Sequence, residues 1–420
     1  VEKLIQRGYK FKILPTDEQK EFFLQSFGCA RKIYNLYVNE LYTKLESNGY
    51  ENGFINTKSL KLSKYTDFKK QYDYMKDVDS QALCSAKQHF KKAISKFNKE
   101  YDKKTYTKRS RKREETLGIK PTFKDLKGMP KFKSRKNNNF SYTTYNQSQK
   151  GAWNLITLYN TMLKIPKLET LIKVKQHRAL PKDGIIKNCT ISMNNKGIFY
   201  VSLCVEYAIN IEQKKIDKDK ILGLDYSQND FYYSSDNKKA NYPHYYRKSE
   251  EKLQRLERSL SRKQLKSNNW LKVKQKISTL NCHIANQRRD FLHKESRKLA
   301  DTYDVIVVED IDLRNMAQCL KLGKNVHDNG FGMFRLFLQY KLEEQGKQFI
   351  KIDKWFPSSK TCSCCGNVKK SLKLSDRVYK CDKCGLIIDR DYNASINNEL
   401  PRRKQRGIKK LLLSLHIIEQ

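Results

Sequence analysis

The stretch ILGLDYSQNDFYY, residues 221–233, runs from Ile221 to Leu224 into Asp225, and a second strand-like run opens at Phe231. An acid at the end of a buried strand is held rigidly and points out of the sheet, although the same residue also serves as an ordinary turn or cap. DVIVVEDIDL, residues 304–313, repeats the arrangement: a β-branched run ends at Glu309, with Asp310 and Asp312 behind it. Such runs read as buried strands. The third stretch, CDKCGLIIDRDYNASIN (381–397), places Asp391 at the start of a helical run, with Asp389 two residues earlier as its rival. An acid in that place is also a capping residue.

The charge balance gives these acids meaning. Lysine and arginine number 86 against 45 aspartates and glutamates, for a net charge of +41 over 420 residues. Such an excess opposes compaction unless a polyanion supplies countercharge. It is interleaved with 25 tyrosines and 19 phenylalanines, the mixture that phosphate contact and base stacking require. Nucleic acid is therefore the expected partner, and no apolar run approaches a membrane span. Acids in a groove for polyanions repel phosphate unless a cation lies between. Asp225, Glu309 and Asp391 would hold Mg²⁺, which prefers oxygen ligands. Two such ions about 4 Å apart activate water and stabilise the leaving oxygen of a phosphodiester. The reading is a hydrolytic nuclease. The seven histidines (89, 177, 244, 283, 293, 327 and 416) lie in no ligand or triad spacing.

Cys362-x-x-Cys365 and Cys381-x-x-Cys384, with fifteen residues between the pairs, have the spacing of a tetrahedral Zn²⁺ site. Four thiolates close the shell, so this zinc is structural. Gly366 and Gly385 permit the knuckle turns, and Cys364 is a competing thiol between the first two ligands. The odd cysteine count and an N-terminus without a signal-type apolar core point to a reducing compartment, a cytoplasm.

The N-terminal half reads differently. RGYKFKIL (7–14) alternates as a strand, and Thr16 with Gln19 forms a capping box for a helix carrying Phe23, Phe27 and Tyr37. Residues 79–101 place Ala82, Ala86, Phe90, Ile94 and Phe97 on one helical face. The charge run KKTYTKRSRKR (103–113) reads as a solvated mobile loop. From 122 to 208 short strands predict a small β domain to which the first strand returns. Residues 210–220 read as a linker. Residues 248–302 read as a helical hairpin turning at 266–269, with Ile277, Leu280, Ile284, Phe291 and Leu299 along its inner stripe.

GLDYS, VVEDIDL, PSSKTCSCCG, YKCDKCG and DRDYNASIN occur in the order and spacing of the TnpB family, and the chain resembles its members over nearly its whole length. YKFKILPTDEQKEFF, FGCARKIYN, SQAL, PKFKS, HRALP and YVSL extend the likeness through the N-terminal half. These are transposon-encoded RNA-guided DNA endonucleases, close to the miniature type V CRISPR effectors. The resemblance implies an α/β multidomain protein. A RuvC-like (RNase H-type) nuclease domain (211–357 and 386–400) would carry a zinc-binding, target nucleic-acid-binding insertion (358–385). A β-barrel-like wedge domain (1–16 and 122–210), a helical recognition domain (17–121) and a basic tail (401–420) complete it. Asp225, Glu309 and Asp391 match the family's catalytic acids. The implied partners are a guide RNA and double-stranded target DNA, in a monomer or homodimer at the nucleoid of a prokaryote. Base pairing would read the target while the protein reads a short adjacent motif. Gln81, Thr143, Thr144, Lys131, Lys133 and Arg135 are the candidate nucleic-acid contacts. Many relatives have Leu-Gly after the first acid, where this chain has Tyr226-Ser227. The alternatives are a nuclease-inactive RNA-guided binding protein or repressor, and an accessory protein of transposition.

Overall fold

The computed structural model describes residues 2–50, 54–56, 60–99, 105–135, 140–146, 155–212, 215–217, 219–313, 316, 323–353, 355–372 and 376–399. The expected basic tail, 401–420, lies outside the described residues. Two compact units emerge, residues 4–208 and the chain from Ile209 onward.

In the first unit, β1 (Glu2–Leu14) leads into α1 (Asp17–Ser47). Thr16 Oγ1 accepts the Gln19 N–H at 3.3 Å and Gln19 Oε1 accepts the Thr16 N–H at 3.1 Å, so two otherwise orphan donors are satisfied reciprocally. Early turns of α1 set Phe23 and Phe27 against Tyr142 and Phe199 of a sheet. Later turns bury Ile33, Tyr37 and Leu41 in a helical core. That core includes the apolar face of α3 (Ser80–Lys99), with the short α2 (Tyr65–Gln71) beside it.

The charge run is not a loop where it is described. Thr107 caps α4 (Lys108–Leu117), Gly118 ends it in the left-handed region at φ 65°, and Arg113 pairs with Asp125 at 2.8 Å. Good termini and one ion pair outweigh the like-charge repulsion along this short helix.

The sheet comprises β1, β2 (Phe140–Tyr145), β3 (Thr157–Tyr159), β4 (Met162–Lys164), β5 (Ile172–Lys175), β6 (Ile185–Met193) and β7 (Phe199–Asn210). Its order is β2-β6-β7-β1-β5-β4-β3, so the first strand returns to its middle.

The second unit is built on β8 (Ile221–Ser227) and β9 (Phe231–Ser234), an antiparallel hairpin. Two long helices follow, α5 (Tyr245–Ser261) and α6 (Asn268–Thr302), then β10 (Val305–Glu309), α7 (Gly323–Asn329), α8 (Phe331–Glu344) and β11 (Gln348–Ile352). A small hairpin, β12 (Val378–Lys380) and β13 (Ile387–Asp389), leads into α9 (Arg390–Glu399). The main sheet has the order β11-β10-β8-β9, and β10 runs parallel to both neighbours. Strands that alternate their faces divide the burial between two layers. Leu222, Leu224, Ile306 and Val308 pack with Leu292, Leu299, Phe334 and Leu338 of α6 and α8. Val305 and Val307 point to the other side, packed with Ile352.

On that second side α9 lies directly on β8. A Cβ at Gly223 would stand 2.2 Å from the Ser395 carbonyl oxygen and 2.4 Å from the Glu399 nitrogen. Only glycine allows the backbones to approach so closely. Asn398, fully buried, donates its Nδ2–H to the Leu224 carbonyl at 3.1 Å and locks the register of helix on strand.

Gly223→Ala should therefore displace α9 and destabilise the protein by at least about 2 kcal/mol. Thermal melting of the purified variant checks this, with Gly8→Ala as the control, since its φ is not positive and a Cβ there meets nothing within 4 Å.

Candidate functional site

The two parallel strands bring two of the acids together without any help from side chains. Val308 pairs with Leu224, so Glu309 and Asp225 stand at the next rung, on adjacent strands at the carboxyl edge. By strand alternation Asp225 shares the face of Gly223, and Glu309 that of Val305 and Val307, which is the face α9 covers. Asp391 lies in the first turn of α9. All three acids thus reach one edge of one layer.

Their electrostatics reflect the proximity at Asp225. Burial, followed by the charges of Asp391 and Glu309, pushes the Asp225 carboxyl well above the usual range, with the Arg390 guanidinium acting against them. Burial raises Glu309 to about 7. Asp391 is itself paired: Arg390 Nη2 is 3.2 Å from its Oδ1 and Arg377 Nη1 3.7 Å from its Oδ2. The rival acid is committed elsewhere. Asp389 Oδ1 accepts the N–H groups of Asp391 and Tyr392 at 2.9 and 3.0 Å, which makes it the N-cap of α9.

The chain around the acids is held from behind. Arg335 of α8 donates to the Glu309 carbonyl (3.4 Å), the Asp310 carboxylate (3.3 Å) and the Ile311 carbonyl (3.3 Å). Asn329 donates to Tyr226 Oη at 3.2 Å and to the Gln228 carbonyl at 3.1 Å, fixing the turn beyond Asp225, and Tyr226 packs on Phe331.

The four predicted cysteines also meet. Cys362, Cys365, Cys381 and Cys384 have all their Sγ atoms within 4.8 Å of one another. The pairs Cys362–Cys384 and Cys365–Cys381 are 3.6 and 3.5 Å apart. Thiolates bound at about 2.3 Å to one tetrahedral ion have comparable edges, so the set fits Zn²⁺. Backbone N–H groups of Cys384 and Lys383 hold the Cys381 thiol down to about 6. Among the described residues this is the one set of three or more metal-ligand side chains that converges so tightly, and the carboxylates are more open. Buried asparagines of α9 tie the cysteine module to the acid site. Asn393 donates to the Thr361 carbonyl (2.7 Å) and accepts the Ser363 N–H (3.0 Å), and Asn397 donates to the carbonyls of Ser358 (2.8 Å) and Thr361 (2.6 Å).

A basic arm extends from the same edge. Phe291 of α6 packs on Phe231, which pairs with Ser227 two residues beyond Asp225. In α6 no side chain before Ile284 is fully buried, and in α5 only Leu253 is. The hairpin therefore projects past the acids for roughly 30 Å, at 1.5 Å per residue. Arg255, Arg258, Arg262 and Lys263 line a hollow of about 370 Å³ on it.

In the first unit the candidate contacts divide. Lys133 and Thr143 line a cleft of about 200 Å³ between α1, α3 and β2, together with Arg31, Ser85 and His89, which sequence reasoning missed. Lys133 sits 3.9 Å over the Tyr34 ring, and Lys131 and Arg135 are exposed. Gln81 is half-buried in the first turn of α3. Thr144 is a correction: it is 1% exposed and hydrogen-bonded to the Asp79 carboxylate, because strand alternation turns it inward with Tyr142 while Thr143 faces out. It supports the cleft and is not available for contact.

Three family models match the chain: a helix-turn-helix domain over residues 5–49, one described as "Probable transposase" over 202–320, and a Cas12f1-like TNB domain over 331–398. Together these matches support a TnpB-family protein. A candidate RNA-guided DNA endonuclease of Streptomyces pristinaespiralis is 28% identical over 94% of this chain and 88% of that protein. Another from Escherichia coli K12, InsQ, is 25% identical over 93% and 91%. The fold resembles that of Cas12f1 in a cryo-EM complex with sgRNA and target DNA, with a TM-score of 0.51 and 15% identity over 93% of this chain and 84% of that one. No helix among the described residues is long and apolar enough to cross a membrane.

A carboxyl that prefers its proton in the fold contributes stability below its unfolded value near 4, and that contribution is lost as pH rises through the folded value, about 7 for Glu309. In EDTA the protein should melt lower at pH 8 than at pH 5.5. Glu309→Gln and Asp225→Asn should flatten that slope and gain on the order of 2–4 °C at pH 8, measured by calorimetry.

Proposed function

We propose that this protein is an RNA-guided DNA endonuclease whose single nuclease site is formed by Asp225, Glu309 and Asp391. The observation that carries the reading is the arrival of three acids, from distant sequence, at one sheet edge of a chain with a net charge of +41. The names of the full-length relatives support the guided activity.

Divalent cations, expected to be two Mg²⁺, would supply water activation and leaving-group stabilisation there. Burial that makes the free carboxyls favour protons also makes the site electrostatically receptive to cations. Asp225 and Glu309 would hold them from rigid strand ends, with Glu309 oriented through the Arg335 clamp. Asp391 would complete the set from α9. Its partners Arg377 and Arg390 would turn to phosphate when a strand arrives. The cysteine quartet would hold one structural Zn²⁺, stiffening the module that leads into Asp391.

The basic arm suits the backbone of a duplex, since closely spaced cations release condensed counterions on contact. In the first unit, the cleft with Thr143, Lys133, Arg31 and His89, flanked by Gln81, Lys131 and Arg135, is where we place reading of the adjacent motif. The bounds given above for wedge, recognition and nuclease domains belong to the same proposal.

Purification with co-bound RNA, sequencing of that RNA, and challenge with a guide-matched target beside a randomised motif test the reading in Mg²⁺. Expected are a discrete RNA, cleavage beside one short motif, and loss of cleavage in Asp225→Ala by at least about 10³-fold. Purification without RNA, or cleavage that persists in the variant, would contradict it. Metal analysis should return one zinc per chain, falling in Cys381→Ser together with the melting temperature.

A further inference from the structure

The acid edge carries one aromatic ring that the site described so far does not use. β11 ends at Ile352, which pairs with Glu309, and the chain then turns through Asp353 to Trp355. Trp355 is 80% exposed. Among the described residues from Ile209 onward, every other Phe, Tyr and Trp is buried or half-buried.

The exposure does not come from a loose turn. Asp353 Oδ1 accepts the Trp355 N–H at 2.7 Å, and the Asp353 carbonyl accepts the Phe356 N–H at 3.0 Å. Phe356 packs against the cluster of Val305, Val307 and Ile352. Two residues later the Ser358 carbonyl is bound by Asn397 of α9, the helix that carries Asp391. Those hydrogen bonds hold the backbone at Trp355 and Phe356, and the indole is presented to solvent between two elements that present acids.

Chain geometry bounds its distance from the chemistry. Three residues reach at most about 10 Å, and paired strands lie about 5 Å apart, so the Trp355 Cα is within roughly 15 Å of the Glu309 Cα. At a rise of about 3.4 Å per nucleotide of stacked strand, that is about four nucleotides. An exposed indole next to acids that call for a phosphodiester has one matching chemistry: the face of an unpaired base. A base can offer that face only when its strand is single.

We propose that Trp355 is a stacking platform for a base of single-stranded DNA, within about four nucleotides of the bond at the acid edge. It rests on the nuclease reading for its substrate, and it adds a binding contact that positions the strand.

The test uses the full chain with Trp153 and Trp270 changed to phenylalanine, so that Trp355 is the remaining one of three tryptophans. In EDTA, a twelve-residue oligothymidylate should quench its emission to saturation, and a matched oligomer of abasic residues should not. Trp355→Ala should weaken oligothymidylate binding about tenfold, and Trp355→Phe should recover most of the loss, with equal melting temperatures throughout. In Mg²⁺ the alanine variant should raise KM for a single-stranded substrate about tenfold and leave kcat within twofold. Equal quenching by thymine and abasic oligomers, no quenching, or an unchanged KM in Trp355→Ala would each overturn the proposal. A wild type that cleaves nothing would remove the nuclease reading alone. Base-dependent quenching would still support the stacking contact.

Discussion

The acid site depends on a side chain that is missing. α9 rests with its Ser395 carbonyl and Glu399 nitrogen in the space a Cβ of Gly223 would occupy. The contact sets the height of the helix above β8, and Asn398 sets its slide along the strand through the Leu224 carbonyl. In the first turn of that helix, Asp391 then has a single place to be, beside the strand end that bears Asp225. The pairing of β8 with β10 adds Glu309 by register alone. Main-chain geometry, rather than a web of side-chain bonds, assembles the acids.

Such an assembly is electrostatically costly when no cation is present. The protein meets that cost in part with Arg390 and Arg377, which neutralise Asp391, and in part by letting Asp225 and Glu309 favour protons. The clamp from Arg335 binds main-chain carbonyls on both sides of Asp310, so it fixes the path of the chain after Glu309 without neutralising Glu309 itself. Position and charge are thus governed by different residues.

Much of this was legible in the sequence. The acids ending two β-branched runs, the cysteine spacing and the Thr16–Gln19 box are local signals, and each has a local cause. What escaped depended on contact between distant segments. Nothing near Asp389 says that its carboxylate is used by the helix it precedes, although two acids two residues apart at a helix start always pose that choice. Arg31 and His89 lie on different helices and meet only when α1 packs on α3. Thr144 could have been placed by period-two counting from Tyr142. The helix at 108–117 was hidden by its charge, while its caps, Thr107 and Gly118, were in plain view.

The asparagines of α9 grip the cysteine module almost wholly through backbone: the carbonyls of Ser358 and Thr361 and the N–H of Ser363. A main-chain grip is indifferent to which side chains stand at the gripped positions. Substitutions on the surface of the module can therefore accumulate with little effect on where Asp391 stands. The fold separates the part of the protein that is free to diversify from the part that has to stay still, and two amides on one helix draw the boundary.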